Sequence, residues 1–170
     1  MAALSNPKWW PLEEAVKRRE ALRAGGKKLV LTNGCFDLLH TGHLYYLREA
    51  AGLGDALWIA LNGDGSAALL KGPHRPVQRE SERAYALSAL EFVDGLVVFH
   101  TPRLDAEILA LRPDIYVKAG DYVLESLDPA ERGALQKVGA EIQFIPFLEG
   151  YSTTRLIEAI RQAADQDGSD

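Results

Sequence analysis

Five short runs of this chain are apolar almost throughout, and each is followed by a segment of helical pattern. The runs at 28–32, 56–61, 95–99, 115–118 and 141–145 read as strands. The segments at 42–51, 80–91, 103–111, 129–138 and 153–164 read as the helices that follow them. A strand with one wet face alternates apolar and polar residues; these do not, so both faces of the sheet they build need cover. Strand-helix repetition with right-handed crossovers then implies an α/β fold, a Rossmann-like doubly wound five-stranded parallel sheet. An earlier helix is predicted at 12–24, opened by Pro11 and stopped by Gly25 and Gly26.

Residues 1–27 form a helical extension in this reading, 28–164 a single domain and 165–170 a polar tail. In the first helix, Lys17, Arg18 and Arg19 are interleaved with Glu13, Glu14 and Glu20, which favours a solvated face over a basic contact patch. Trp9 and Trp10 are expected to tuck against the domain or against a partner subunit. The 47% hydrophobic content of the 170 residues suffices for a substantial core, and the net charge of −5 lacks the basic footprint of a nucleic-acid binder. No apolar run approaches the roughly 20 residues of a membrane helix. The single cysteine, Cys35, leaves no internal disulfide framework and fits a reducing compartment. These features point to a cytoplasmic protein with neither nucleic acid nor membrane as partner.

In such a sheet, ligands bind beyond the carboxyl ends of the strands. The segment leaving the first strand reads Thr32-Asn33-Gly34-Cys35-Phe36-Asp37-Leu38-Leu39-His40-Thr41-Gly42-His43, with neither a P-loop nor a GxGxxG pattern. His40 and His43 flank Thr41 and Gly42 where a helix is predicted to begin. Thr41 is the expected N-cap, and Gly42 leaves room for an anion to approach the first N–H groups. A surface or capping role, or half a zinc site, is the alternative for the histidines. Cys35, His74 and His100 show no matching ligand spacing, so no resident metal is expected.

With its HxGH element, segment 34–43 resembles the nucleotidyltransferase superfamily that includes cytidylyltransferases and phosphopantetheine adenylyltransferase. Three later segments narrow the resemblance. They are Lys71-Gly72-Pro73-His74-Arg75-Pro76, Lys118-Ala119-Gly120-Asp121-Tyr122 and Glu149-Gly150-Tyr151-Ser152-Thr153-Thr154. Together they are similar to adenylyltransferases acting on D-glycero-β-D-manno-heptose 1-phosphate, which form the C-terminal half of bifunctional heptose kinase/adenylyltransferases. The likeness runs from about residue 28 to 160.

The resemblance implies attack by a substrate phosphate oxygen on the α-phosphorus of a nucleotide, releasing pyrophosphate. That oxygen is already ionised at neutral pH, since a phosphate monoester has its second pKa near about 6. No general base is then required, and no nucleophilic triad can be assembled from the sequence. The resemblance places His40, His43, Lys71 and Arg83 in catalysis. It places Asn33, Gly34, Cys35, Phe36, Gly42, Gly120, Asp121, Gly150, Tyr151, Ser152, Thr153 and Thr154 at the nucleotide. Asp37, Asn62, Asp64, Lys71 and Arg75 fall to the acceptor. Several alternatives stand open. Asp37 holds either the loop or the acceptor; Asp64 and Asp121 reach Mg²⁺ through water or cap helices and turns; Ser152 to Thr154 cap the last helix or contact phosphate. Cys35 reads as a packed thiol rather than a nucleophile.

Related glycerol-3-phosphate cytidylyltransferases carry an Arg-Thr pair where this chain has Phe147-Leu148, and an arginine where it has Glu91. Both changes favour ATP, with Mg²⁺, over CTP; CTP with a polyol phosphate, or ATP with FMN, are the alternatives, and a non-catalytic nucleotide-binding module is a third. Phe147 itself reads equally as core. The resemblance further implies a homodimer. About 27 residues precede the first strand, too few for a kinase domain of about 100 or more, so a separate heptose kinase is expected.

Overall fold

The computed structural model describes residues 6–120 and 124–167. Five strands, β1 (Leu29–Gly34), β2 (Ala56–Asn62), β3 (Gly95–Phe99), β4 (Ile115–Ala119) and β5 (Glu141–Ile145), form one sheet in the order β3-β2-β1-β4-β5. Every pairing is parallel. The helices are α1 (Leu12–Ala24), α2 (Thr41–Ala51), α3 (Asp64–Lys71), α4 (Glu80–Ser88), α5 (Asp105–Leu111), α6 (Pro129–Val138) and α7 (Thr153–Asp167). The expected α/β fold is present, and its strand order reverses between β1 and β4.

Successive strand residues alternate between two apolar layers. Leu29, Leu31, Trp58, Val97 and Tyr116 face one layer, which Ala15 of α1, Ile108 of α5 and Leu135 of α6 complete. Val30, Leu57, Ile59, Leu96 and Val117 face the other, closed by Leu47 of α2 and by Ala84 and Leu87 of α4. Both faces of the sheet are buried, which is why the strands carry no polar alternation.

The structure differs from the sequence reading at α3, at three helix ends and at Arg19. Helix α3 was not expected, because its apolar residues are inverted: Ser66 and Ala67 are buried while Leu69 and Leu70 point outward, 75% and 56% exposed. Helix α4 stops at Ser88 and α5 starts only at Asp105, whereas α7 continues to Asp167, into the segment expected as tail. Arg19 is not on a solvated face. It is buried, donating to the carbonyls of Leu111 and Arg112 and to Asp114 Oδ2 at 2.9 Å, while Asp114 also accepts from Leu29 N–H at 2.7 Å. That network ties α1 to the α5–β4 corner.

The tryptophans pack on the domain itself. Leu96 N–H donates to Lys8 carbonyl at 2.7 Å and Trp10 N–H to Leu96 carbonyl at 3.0 Å, so the N-terminal segment covers the β3 edge. Trp10 meets Trp58 edge-on at 5.2 Å, with Arg18 stacked 4.4 Å over its ring. Among the described residues, no helix is long and apolar enough to cross a membrane.

Candidate active site

The site begins where β1 ends. Phe36 adopts φ +43°, the left-handed region that a side-chain-bearing residue occupies at a cost of about 1–3 kcal/mol. Its ring is buried, and a Cβ on Gly34 would come within 2.9 Å of it, so Gly34 lets the chain double back. Asp37, also buried, then clamps the later loop: Oδ1 accepts from Val77 and Gln78 N–H at 2.8 and 3.0 Å, and Oδ2 pairs with Arg75. Burial raises the carboxyl pKa, but those two N–H groups and the Arg75 guanidinium outweigh it and hold it below the usual range. Of its two expected roles, Asp37 therefore takes the loop-holding one, and Arg75 is its partner.

Arg83 lies behind this loop. Its guanidinium is wholly buried, donating to the carbonyls of Cys35, Asn62 and Gln78 at 2.7, 2.7 and 3.0 Å and to Asp64 Oδ1 at 2.7 Å. The resemblance placed Arg83 at the reacting phosphate; the structure makes it the bracket that joins the ends of β1 and β2 to α3 and α4. Asp64 is drawn away with it, its own N–H donating to Glu80 Oε2 at 3.0 Å.

The two histidines stand at the start of α2. The N-cap is His40, not Thr41, with extended backbone at φ −141° and ψ 169°. Thr41 and Gly42 N–H, at the positive end of the helix, have no partner among the described residues. The imidazoles stack at 3.9 Å between centroids, and the Phe36 ring lies 5.3 Å from that of His43. A Cβ on Gly42 would press on the His40 ring at 3.0 Å and on Tyr151 at 3.1 Å, so glycine keeps this corner open. Burial, reinforced by the neighbouring His40 ring and opposed by a hydrogen bond at the Leu38 backbone, pushes His43 down to about 4. Burial alone lowers His40. Nδ1 of both rings is buried without a hydrogen-bond partner among the described residues, so each holds unspent capacity for a ligand.

Each histidine faces a different cleft. His40 lines one of about 540 Å³ together with Leu39, Thr41, Glu149, Gly150, Tyr151, Ser152, Arg155 and Leu156, between the starts of α2 and α7. His43 lines another of about 530 Å³ over the ends of β1 and β4, with Asn33, Gly34, Cys35, Phe36, Asp37, Asn62, Lys71, Arg75, Lys118 and Thr153 on its walls. This second cleft lies at the reversal of strand order, where an open α/β sheet binds its ligands. Lys71, exposed at the end of α3, makes no hydrogen bond or ion pair among the described residues.

Gly150 (φ +84°) and Gly120 (φ +111°) occupy left-handed backbone, and a Cβ on Gly120 would run into the Phe147 ring. Phe147 is not core: it is 62% exposed and borders the second cleft. Ser152 Oγ accepts from Arg155 N–H at 3.1 Å, so it caps α7 while facing the first cleft. Asp64 and Thr154 border neither cleft, and Asp121 lies outside the described residues. Cys35 is half-buried, and burial raises its thiol pKa, as befits a packed thiol. Glu91 sits in the turn before β3, at the opposite end of the strands from both clefts, so it carries nothing on the choice of nucleotide.

The sequence reading missed Lys118, Tyr116 and Glu131. Asn33 Oδ1 accepts from Tyr116 OH at 2.8 Å and from Lys118 Nζ at 2.7 Å. The lysine's burial lowers its pKa. Two-residue alternation was the available signal: with Tyr116 facing one layer and Val117 the other, Lys118 returns to the first layer at the strand's carboxyl end.

A parallel sheet with this reversal point, and a histidine pair on a helix start beside it, define an α/β domain with a candidate ligand site at its switch point. The chain belongs to the cytidylyltransferase-like family, whose sequence profile matches residues 31–159. It is 48% identical over 142 residues to the bifunctional protein HldE of Methylococcus capsulatus, covering 82% of this chain and 29% of that one. The corresponding protein of Citrifermentans bemidjiense is 47% identical over 135 residues, 79% of this chain and 27% of that one. The chain thus spans under a third of these relatives. Among solved structures, the lipopolysaccharide core biosynthesis protein of Thermoplasma volcanium superposes with a TM-score of 0.60 at 28% identity, covering 75% of this chain and all of that one.

Two outcomes follow from the geometry. Arg83→Lys replaces a fork serving four oxygens with a point donor, so urea unfolding should show a loss of about 2–4 kcal/mol; a loss under about 1 contradicts the bracket. The unfolded chain protonates His43 near 6.5, which the folded protein resists until about 4. Its contribution to stability is therefore complete above that window and falls as pH drops through it. His43→Gln should flatten this part of a melting-temperature profile, and an unchanged slope would contradict the desolvated ring.

Proposed function

We propose that this chain transfers the adenylyl group of ATP to a sugar 1-phosphate, D-glycero-β-D-manno-heptose 1-phosphate, releasing pyrophosphate and forming ADP-heptose. The observation that carries the reading is the histidine pair, with an unpartnered Nδ1 on each ring, standing at an open helix start with one cleft on either side. Together the clefts have room for both substrates, the nucleotide reaching into each past the histidine wall and the acceptor entering the second. The shared wall is where their reacting atoms would meet.

In this reading the acceptor phosphate oxygen forms a bond to the α-phosphorus as the bond from that phosphorus to the bridging oxygen breaks. The electron pair leaves with pyrophosphate. No proton needs to move, in keeping with a site that has uncharged histidines and no paired general base. His40, His43 and the Thr41 and Gly42 N–H groups donate to the α-phosphate as it gains charge, and Lys71 closes over the phosphates from the end of α3. Alignment recovers about 7–11 kcal/mol in well-positioned reactions, and one such donor contributes about 3–4. Asn33, Gly34, Cys35, Phe36 and the stretch from Gly150 to Thr153 would surround the nucleotide. Asp37, Asn62 and Arg75 would shape the acceptor side, the first and last by holding the loop.

Among the described residues, no group of three or more His, Cys, Asp or Glu could hold a metal ion. Mg²⁺ enters this proposal as part of the substrate, MgATP, held by phosphate oxygens. The exposed Phe147 ring, where cytidylyltransferases of the resembled branch have a polar pair, supports ATP over CTP. Similarity to HldE proteins and to a lipopolysaccharide core biosynthesis protein supports the sugar. A kinase acting on the anomeric hydroxyl would supply the acceptor, and homodimerisation is part of the proposal on family resemblance.

The test is Mg²⁺-dependent pyrophosphate release with ATP or CTP against heptose 1-phosphate, glycerol 3-phosphate and FMN. Turnover is expected with ATP and heptose 1-phosphate, and His43→Ala should lower kcat by about two to three decades with nucleotide binding largely kept. Preference for CTP, or for another acceptor, would overturn the substrates. Full activity in His43→Ala would overturn the mechanism.

A further inference from the structure

The second cleft continues past the strand ends to α6, where Lys118 and Glu131 line it from two sides. Lys118 Nζ donates to Asn33 Oδ1 at 2.7 Å and to Tyr116 OH at 3.3 Å, which leaves one of its three N–H donors unused. Glu131, 7% exposed, accepts from Leu104 N–H through Oε1 at 3.2 Å, and its other oxygen has no partner among the described residues. The two charges attract across the cleft, yet they form no ion pair. A half-buried ammonium with a donor to spare and a buried carboxylate with an acceptor to spare thus line one cleft without pairing. The nearby Arg103 and Asp128 differ, because they already satisfy each other at 3.2 Å.

We infer that Lys118 and Glu131 are specificity-determining residues that bind one hydroxyl of the acceptor between them. A hydroxyl accepts from the ammonium and donates to the carboxylate, which satisfies both. A phosphate would gain the first and be repelled by the second, and a second cation would meet the reverse. The site therefore selects a hydroxyl-bearing carbon skeleton and leaves the acceptor phosphate to the histidine end of the cleft. This inference rests on the sugar-phosphate reading above and deepens it, by naming what distinguishes a polyhydroxylated acceptor from a bare phosphate ester.

Lys118→Gln and Glu131→Gln test it. Glu131→Gln is isosteric and keeps an oxygen for Leu104 N–H, and Lys118→Gln keeps a donor on a side chain one bond shorter, so melting curves should stay near wild type. Steady-state kinetics with ATP and D-glycero-β-D-manno-heptose 1-phosphate should show the acceptor KM rising about tenfold or more in each variant, with the ATP KM within about twofold in Glu131→Gln, which leaves Asn33 untouched. General damage to the site would move both constants in that variant. An unchanged acceptor KM in both variants, or an ATP KM that rises in step in Glu131→Gln, overturns the inference while wild-type turnover stands. Absence of wild-type turnover with the sugar phosphate would instead bring down the proposed function, and this inference with it.

Discussion

One buried guanidinium sets the geometry of this site. Arg83 reaches the carbonyls of Cys35 and Asn62, at the ends of two neighbouring strands, together with Gln78 and Asp64. Strand ends are where chains diverge, and their last carbonyls have lost their ladder partners; buried and unpaired, each would cost about 1–3 kcal/mol. A five-donor planar fork meets several of these needs from one place, which an ammonium cannot. Asp37 completes the arrangement by taking the N–H groups of Val77 and Gln78. With both residues committed, the loop between β1 and α2 cannot drift, and the backbone strain at Phe36 has something to hold it.

That rigidity matters because the histidines it positions are uncharged. A charged imidazolium would hold an anion more strongly in the ground state, but it would also draw water and counter-ions into the corner. Buried neutral rings, with Nδ1 atoms unsatisfied, keep their hydrogen-bonding capacity for whatever enters. The proposed reaction asks for this kind of site: its nucleophile arrives ionised, so the protein has to align and neutralise rather than abstract a proton. Lys71 at the exposed end of α3 and Lys118 on the cleft floor then put the two cations at opposite depths.

Much of the fold was legible because its signal is additive. Residues such as Leu29 to Leu31 and Ala56 to Leu61 are buried on both faces, and no competing pattern reproduces such runs. Helix α3 escaped notice because its buried side is Ser66 and Ala67 while its leucines face outward. The turn after β1 stood out by composition, but the N-cap was misplaced by one residue, since His40 takes the extended backbone without a capping side chain. Arg83 was read as a phosphate ligand because an arginine near a phosphate site has two uses that sequence does not separate; only the positions of Cys35, Asn62 and Gln78 around it decide. Arg19 misled because interleaved glutamates mark a solvated face, while its partners Leu111, Arg112 and Asp114 lie far along the chain. Strand alternation was enough to aim Lys118 at the strand-end cleft, whereas Glu131 on α6 joins it there only through the fold, a relation no local spacing records.

The central claim is that substrate oxygen displaces pyrophosphate in one step at a phosphorus held by the histidine end of α2, with no covalent enzyme intermediate. The stereochemical course with a single diastereomer of adenosine 5′-O-(1-thiotriphosphate) tests this directly. Inversion of configuration at the α-phosphorus in the sugar-nucleotide product is the predicted result. Net retention would mean two successive displacements and a nucleotidyl-enzyme, and would contradict the account.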